Sequence, residues 1–306
     1  MAHSDATRPG EHVLPDGDLP ALLDAFGLGG PVSVGYIAEG LMNRNWRLEI
    51  SGGTFALKEL LDASWAHGDH ISGPDLTVNE TARLGRLVGR LHLALNSGDI
   101  QALLGGAPEH PRANVTDPAT AIAEARRFLA IVEGMPEPGE FDTAVAADLH
   151  HRIELIGRHA SDRPVAQTSI GPVGWPHGDL QYRNLLWADG RITAVLDWDR
   201  IGARPLAEEL VPTAQVQFGL ADGRLDLERI AVFTTAYRAV IDLSDDALVD
   251  AVDRLWWKRM TDFWPLQWHY DKGDHGPDGI WTAGERQLAW WCHRRDTITR
   301  AVLGRT

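Results

Sequence analysis

The chain has 306 residues, a net charge of −14 and a single cysteine, Cys292. This length can bury a large core, arranged as one sizeable domain or as two lobes. The negative charge argues against nucleic acid as a partner, because an acidic surface repels a phosphate backbone. One cysteine excludes an intrachain disulfide and suits a reducing cytosol, and no apolar stretch has signal-peptide or transmembrane character. We therefore expect a soluble, cytoplasmic protein with no membrane partner.

The first part of the chain is predicted to be a β-rich segment behind a flexible arm. Residues 1–17 are polar and rich in glycine and proline, which predicts a poorly ordered arm. Asp18 is placed to cap a short helix over residues 19–26. Beyond it, β-branched and alternating residues separated by glycine turns predict three strands, at residues 32–37, 45–50 and 54–57.

Most of the remaining chain has apolar residues at helical spacing. The predicted helices cover residues 80–95, 118–132, 141–159, 225–241, 244–263 and 283–303. Asn79, Asp117 and Ser244 are placed to cap three of these helices. Seven tryptophans lie between Trp256 and Trp291, and indoles at helical spacing are predicted to be mostly core, with a few available to line a pocket.

A compact group of polar residues lies at positions 177–199, which read HGDLQYRNLLWADGRITAVLDWD. Asp179, Leu180 and Asn184 follow His177 at the offsets of the protein-kinase catalytic loop H-R-D-L-x-x-x-N. An apolar run, an Asp-Gly turn and a β-branched run then predict a hairpin that returns Asp197 beside Asn184. Mg²⁺ prefers oxygen ligands, and phosphoryl transfer needs a carboxylate aimed at the attacking hydroxyl. The motif therefore predicts a phosphoryl-transfer site.

With Gly178 in place of the arginine of protein kinases, this motif resembles the catalytic loop and metal aspartate of the aminoglycoside phosphotransferase family. The resemblance implies an α+β, protein-kinase-like fold of two lobes, with ATP and Mg²⁺ as cofactors. It implies that Asp179 orients and deprotonates the acceptor hydroxyl while His177 braces the loop. The implied Mg²⁺ ligands are Asn184 and Asp197, with Asp199 as a further candidate.

The predicted strands resemble the first three strands of the family's nucleotide lobe. We assign residues 18–64 to this lobe and residues 65–306 to a large helical C-terminal lobe. The resemblance implies nucleotide contacts from Gly40 and Asn43 in a phosphate-covering turn and from Lys58 at the end of strand three. In the family, a helix and two further strands follow this lysine, and a glutamate of the helix pairs with it. Here only six residues separate Lys58 from Trp65, which leaves no room for these elements, so the lobe is shortened.

The shortened lobe leaves three explanations open. A reduced lobe still binds ATP, or a partner protein or subunit completes the lobe. In the third explanation the chain is internally deleted and inactive, a pseudokinase that acts as a binding or scaffolding module.

The acceptor is left open as well. The family resemblance implies a hydroxyl of an antibiotic, an amino sugar, choline or homoserine, or a Ser or Thr of a peptide in a biosynthetic pathway. The acidic charge of the chain slightly favours a cationic acceptor. Glu208 falls where the family has an aspartate after the metal motif, and the resemblance implies that it fixes the catalytic loop.

Two further groups of polar residues carry weaker predictions. The loop at residues 271–279 contains three aspartates, which either attract an amine or are simply solvated. The histidine pairs 67/70 and 150/151 are not joined by the ligands that would complete a zinc pattern, so the sequence predicts no zinc site there.

Overall fold

The computed structural model describes the backbone of residues 31–37, 43–50 and 53–60 and all of residues 67–98, 115–165 and 170–305. The chain divides into two compact units, Met1–His67 and Gly68–Thr306. The predicted arm, the helix predicted at residues 19–26 and Gly40 lie outside the described residues. Each unit is therefore described separately.

The first unit contains an antiparallel sheet in the order β1-β2-β3. Its strands are β1 (Pro31–Ile37), β2 (Asn43–Ile50) and β3 (Gly53–Leu60). The three predicted strands are confirmed, and each extends slightly beyond its predicted bounds. Lys58 lies in β3 opposite Asn45 of β2, and Asn43 pairs with Leu60.

The second unit is mainly helical. Its helices are α1 (Val78–Leu95), α2 (Pro118–Glu133), α3 (Glu140–Arg158), α4 (Ala207–Gln217), α5 (Leu227–Arg238), α6 (Asp245–Thr261), α7 (Asp278–Cys292) and α8 (Arg295–Val302). Its short strands are β4 (Val173–Gly174), β5 (Leu185–Ala188), β6 (Arg191–Val195) and β7 (Arg204–Pro205). The α+β fold class is confirmed.

Helix caps follow local side-chain chemistry. Asp117 caps α2 and Ser244 caps α6, as predicted. The cap predicted at Asn79 is wrong, because α1 begins two residues earlier behind Thr77. The Thr77 hydroxyl accepts a hydrogen bond from the Glu80 backbone N–H, and the Glu80 carboxylate accepts one from the Thr77 backbone N–H at 2.8 Å. This reciprocal pair gives an acceptor to two backbone amides at the start of the helix.

The sequence prediction differs from the structure in two other helices. The single helix predicted at residues 283–303 is two, because α7 ends at Cys292 and Arg294 has a non-helical φ of −131° before α8 begins. Helix α4 was not predicted. It carries Pro212 inside a short segment, which weakens the helical pattern there.

The helices of the second unit enclose one hydrophobic core. Helix α1 packs along α5, and α4 packs against α6. The prediction that the tryptophans are mostly core is confirmed for four of them, which are almost fully buried: Trp256, Trp257, Trp281 and Trp291. Burying an indole removes a large apolar area from water, so these side chains stabilise the unit strongly. Within the described ranges, none of the helices combines the length and the apolar character needed to cross a membrane.

Candidate active site

The predicted hairpin after the catalytic loop is confirmed. Strands β5 and β6 pair antiparallel through a turn in which Asp189 has φ of 50° and Gly190 has φ of 66°. Below the strands, the Leu196 N–H donates to the Asn184 carbonyl oxygen at 2.8 Å. The hairpin therefore brings Leu196 next to Asn184, and Asp197 is the next residue along the chain.

His177 connects the catalytic loop to the segment that carries Asp197. The ring is fully buried, and its Nδ1 accepts the Asp179 N–H at 3.2 Å. Its Nε2 lies 2.9 Å from the Leu196 carbonyl oxygen. A carbonyl only accepts, so Nε2 carries the proton and the imidazole is neutral. This tautomer holds the loop backbone and the end of β6 in one fixed relation.

Asn184 holds the loop from the other side. Its buried amide donates from Nδ2 to the Asp179 carbonyl oxygen at 2.7 Å. The backbone of Asp179 is thus held at its N–H by His177 and at its C=O by Asn184. With Nδ2 committed to this bond, the amide oxygen Oδ1 is directed away from it and can ligate a hard cation.

The Asp179 carboxylate is partly exposed. Its side chain is 28% accessible, Oδ2 lies 3.9 Å from the Arg200 guanidinium, and the Gln181 amide lies 3.4 Å from the same oxygen. These contacts are long, so they orient the carboxylate without neutralising it. Because Asp179 also lines a cavity, its oxygens can reach a bound molecule.

Asp197 and Asp199 lie in the bend after β6. Asp197 is exposed and has φ of 61°, a left-handed conformation that aspartate and asparagine tolerate better than most residues. Asp199 is exposed at the start of a turn closed by the Ile201 N–H and the Trp198 carbonyl. A carboxylate such as that of Asp197 and an amide oxygen such as that of Asn184 are donors of the kind that Mg²⁺ takes.

Gly178 is required by the backbone at this position. Its φ is 89°, and a Cβ there would collide with the Arg200 carbonyl oxygen. The arginine of protein kinases could not occupy the site without moving that loop. The difference from the protein-kinase motif is therefore a consequence of close backbone packing.

The carboxylate that fixes the loop is Glu209, and the expectation for Glu208 is wrong. Glu209 is buried at the start of α4, where it accepts the His177 N–H at 3.1 Å and also the Gly178 N–H. Adjacent helical residues point about 100° apart, so only one of the two glutamates can face the loop. Glu208 faces a cavity instead.

A buried chain of hydrogen bonds extends from Glu209 to α1 and α5. His92 Nε2 lies 2.5 Å from the Glu209 carboxylate, and His92 Nδ1 lies 2.8 Å from the Tyr237 hydroxyl. Burial, and then the negative charge of Glu209, raise the pKa of Tyr237, so its O–H remains a donor. With a neutral His92 ring, Tyr237 donates to Nδ1 and Nε2 donates to Glu209. The helical pattern of α1 places His92 among its residues but does not reveal this connection.

Two adjoining cavities lie beside the catalytic loop and share Gly178, Arg204, Glu208 and Pro212 in their walls. The smaller, of about 70 Å³, includes Asp179 in its lining. The larger, of about 310 Å³, lies towards α6. Its charged lining residues are Arg200, Arg204, Glu208, Arg254 and Lys258. One wall is Trp257, whose indole N–H donates to the Thr116 carbonyl at 2.9 Å.

Glu209→Gln is expected to destabilise the protein by about 1–3 kcal/mol. Glu209 accepts hydrogen bonds from three donors: the His177 N–H, the Gly178 N–H and His92 Nε2. Glutamine replaces one carboxylate oxygen with an NH₂ group, so at least one of these donors loses its acceptor. Urea unfolding of the variant and of the wild-type protein at pH 7 measures the difference.

Glu208→Gln is the matched control for this measurement. Burial raises the pKa of the Glu208 carboxyl above its ordinary value of 4.5, and the charge of Asp250 adds to the effect against the attraction of Arg254. The folded state therefore binds this proton more tightly, and the contribution of Glu208 to the free energy of unfolding falls as pH rises above 4.5. Relative to the wild type, Glu208→Gln should become more stable as pH increases. Equal destabilisation by both variants at pH 7 would contradict the assignment of Glu209 as the anchor.

The β sheet of the first unit, together with a helical unit carrying this loop and hairpin, gives the protein-kinase-like architecture of an α+β fold. A model of the Phosphotransferase enzyme family matches residues 48–243, which include Lys58, the catalytic loop and Asp197. The match covers more than half of the chain, and the chain belongs to this family. The resemblance inferred from the catalytic motif is thereby confirmed.

Individual relatives are more distant. Viomycin phosphotransferase from Streptomyces vinaceus is 30% identical over 121 residues, covering 31% of this chain and 42% of the relative. The chain therefore spans less than half the length of that curated relative. A spectinomycin phosphotransferase solved with ADP and spectinomycin is 12% identical, with a TM-score of 0.46 over 95% of this chain and 98% of that chain. An aminoglycoside phosphotransferase from Alicyclobacillus acidocaldarius is 11% identical, with a TM-score of 0.45 over 94% and 80%.

Proposed function

We propose that the protein transfers the γ-phosphoryl group of ATP, with Mg²⁺, to a hydroxyl of a small polar acceptor. The observation that supports this most directly is the held backbone of Asp179, fixed by His177 and Asn184 beside a cavity. Such a site supplies positioning, which is most of what phosphoryl transfer requires of a protein. Membership of a phosphotransferase family supports the same reaction class.

In this proposal Asp179 is the general base. Its carboxylate accepts the proton of the acceptor hydroxyl as that oxygen bonds to the γ-phosphorus, and the bond from this phosphorus to ADP breaks. His177 keeps the carboxylate in place through the loop backbone. The neutral tautomer of His177 suits this task, because a protonated ring would lose the Asp179 N–H bond.

The cofactor contacts follow from the same motif. When bound, Mg²⁺ neutralises charge on the phosphate oxygens, and Asn184 and Asp197 are the residues that would hold it, with Asp199 as a further candidate. Lys58 would contact the phosphates from the first unit, with Gly40 and Asn43 as further candidate contacts. The side chains of these three residues lie outside the described part of the chain.

The residues that line the larger cavity indicate which chemical groups the acceptor carries. It combines one largely buried carboxylate, Glu208, with basic side chains such as Arg204 and Lys258. The Glu208 oxygen Oε1 accepts no hydrogen bond from the described residues. A mixed lining suits an acceptor that carries both an amine and a hydrogen-bond-accepting or anionic group. The acidic charge of the whole chain is therefore a poor guide to this pocket.

Nucleotide titration of the full chain with and without Mg²⁺ tests the cofactor part of the proposal. We expect ATP to bind, and to bind more tightly with Mg²⁺. Absence of binding in both conditions would favour the pseudokinase explanation, or a lobe completed by a partner. Labelled ATP and a set of acceptors then test the transfer step: viomycin, aminoglycosides, choline, homoserine and a serine peptide. Transfer to none of them, despite Mg²⁺-dependent binding, would contradict this acceptor class.

A further inference from the structure

Three potential metal ligands meet near the start of α7, two from the loop at residues 271–279 and one from the turn just before it. His269, His275 and Asp278 each offer one ligand atom, and these atoms all lie within 4.8 Å of one another. His269 Nδ1 lies 2.8 Å from Asp278 Oδ1 and 3.0 Å from His275 Nδ1. His275 Nδ1 lies 3.6 Å from Asp278 Oδ2. We call these three residues the His-His-Asp cluster.

Hydrogen bonding alone satisfies this cluster poorly. The Asp278 carboxylate only accepts, so His269 Nδ1 must carry a proton to bond with it. A protonated His269 Nδ1 has no lone pair for His275 Nδ1, which faces it at 3.0 Å. If His275 Nδ1 is also protonated, two N–H groups face each other. If it is not, two acceptors compete for one proton.

A divalent cation removes this conflict, because every member then contributes a lone pair to one centre. Donor atoms around a tetrahedral ion with bonds of about 2.0–2.1 Å lie roughly 3.3 Å apart. The two Nδ1 atoms lie 3.0 Å apart, and the nearest nitrogen-to-oxygen distances are 2.8 Å from His269 to Oδ1 and 3.6 Å from His275 to Oδ2 of Asp278, on both sides of that value. The arrangement therefore needs only small side-chain movements to ligate an ion.

His269 has a second carboxylate close to its ring. Its other ring nitrogen, Nε2, faces the Asp142 carboxylate at 3.9 Å. Asp142 is itself held by the Tyr270 hydroxyl at 2.8 Å and by the Gly139 N–H at 2.9 Å. The His269 ring stacks on Phe141 at 4.7 Å. The contact between Nε2 and Asp142 is longer than a hydrogen bond, and its shortening would make Asp142 the outer carboxylate that orients a ligating imidazole.

We propose that the His-His-Asp cluster binds a transition-metal dication of the Zn²⁺ type. His269 Nδ1, His275 Nδ1 and the Asp278 carboxylate are its protein ligands, and solvent completes the coordination. Two imidazoles favour Zn²⁺ over Mg²⁺, which prefers oxygen ligands only. The site joins the loop before α7 to the π-helical turn Gln267–Asp271 that carries His269. It does not depend on the proposed phosphotransferase activity, because no ligand comes from the catalytic loop.

Zinc titration of the chelator-treated full chain by calorimetry tests the proposal. The variant is His275→Ala, because this side chain is 66% exposed and its removal spares the core. The matched control is His150→Ala, an exposed histidine at 62% accessibility on α3. We expect His275→Ala to weaken binding at this site at least about tenfold, and His150→Ala to leave it unchanged.

Two further measurements make the outcome decisive. Co²⁺ bound to the wild-type protein should show the visible absorption of an imidazole-ligated ion, and Asp278→Asn should reduce it. Excess Mg²⁺ should not displace the Zn²⁺, and Asp197→Asn should still bind it. Equal zinc affinity and stoichiometry in the wild type and His275→Ala would overturn the proposal and leave a histidine–aspartate hydrogen-bond cluster.

Discussion

Asp179→Asn is expected to lower kcat about 10³-fold, equivalent to roughly 4 kcal/mol in the activation barrier. Asparagine keeps the size of the side chain, and the backbone bonds to His177 and Asn184 do not involve the carboxylate. The amide cannot accept the proton of the acceptor hydroxyl, so the general base is lost while the loop keeps its shape. Initial rates at saturating ATP, with an acceptor from the screen, measure the effect.

The control for Asp179→Asn is Asp189→Asn. Asp189 is an exposed aspartate in the β5–β6 turn, and the two variants lose the same charge from the same short segment. We expect the control to retain nearly full activity, and both variants to bind Mg·ATP like the wild-type protein. If Asp179→Asn retained more than about a tenth of wild-type kcat, Asp179 would not be the general base.

The local parts of the site could be predicted because they depend on residues close in sequence. The offsets from His177 to Asn184 place a loop, and the Asp-Gly turn specifies a hairpin, without any knowledge of tertiary structure. The three strands of the first unit follow in the same way from glycine turns and β-branched runs. In each of these cases the short-range pattern and the final fold agree.

The parts that were missed depend on contacts between distant segments. Choosing Glu209 over Glu208 requires the rotation of α4 relative to the loop, and a one-residue shift in a short helix with Pro212 cannot be read from its pattern. His92 is one polar residue on an amphipathic helix, and its partners lie on two other helices. The spacing of histidines along the chain likewise does not reveal that His269 and His275 face one carboxylate.

The net charge of the chain likewise does not predict the charge around the cavity. A net charge of −14 describes the whole chain, whereas four of the five charged residues that line the cavity beside Gly178 are basic. Electrostatic energy falls with distance and is screened by salt, so the nearest groups decide what a pocket binds. The acceptor is therefore better inferred from Glu208, Arg204 and Lys258 than from the composition of the chain.

Asp197→Asn is expected to abolish most of the Mg²⁺-dependent gain in ATP affinity and to lower kcat at least about 10³-fold, or roughly 4 kcal/mol. Asparagine tolerates the left-handed φ of 61° as aspartate does, so the bend after β6 should persist. Of the two proposed ligands Asn184 and Asp197, only Asp197 carries a full negative charge, and a neutral amide in its place binds a hard dication more weakly. Calorimetric titration of ATP with and without Mg²⁺ separates metal binding from nucleotide binding.

Two controls give this prediction its meaning. Asp189→Asn changes a second aspartate with positive φ, at 50°, and should leave the Mg²⁺ dependence intact. Asp199→Asn tests the second candidate carboxylate, which starts a turn two residues further on. A smaller effect at Asp199 than at Asp197 is expected, because Asp197 directly follows the residue bonded to both Asn184 and His177. If Asp199→Asn removed the Mg²⁺ dependence while Asp197→Asn preserved it, the metal would be held by Asp199 and the assignment of Asp197 would be wrong.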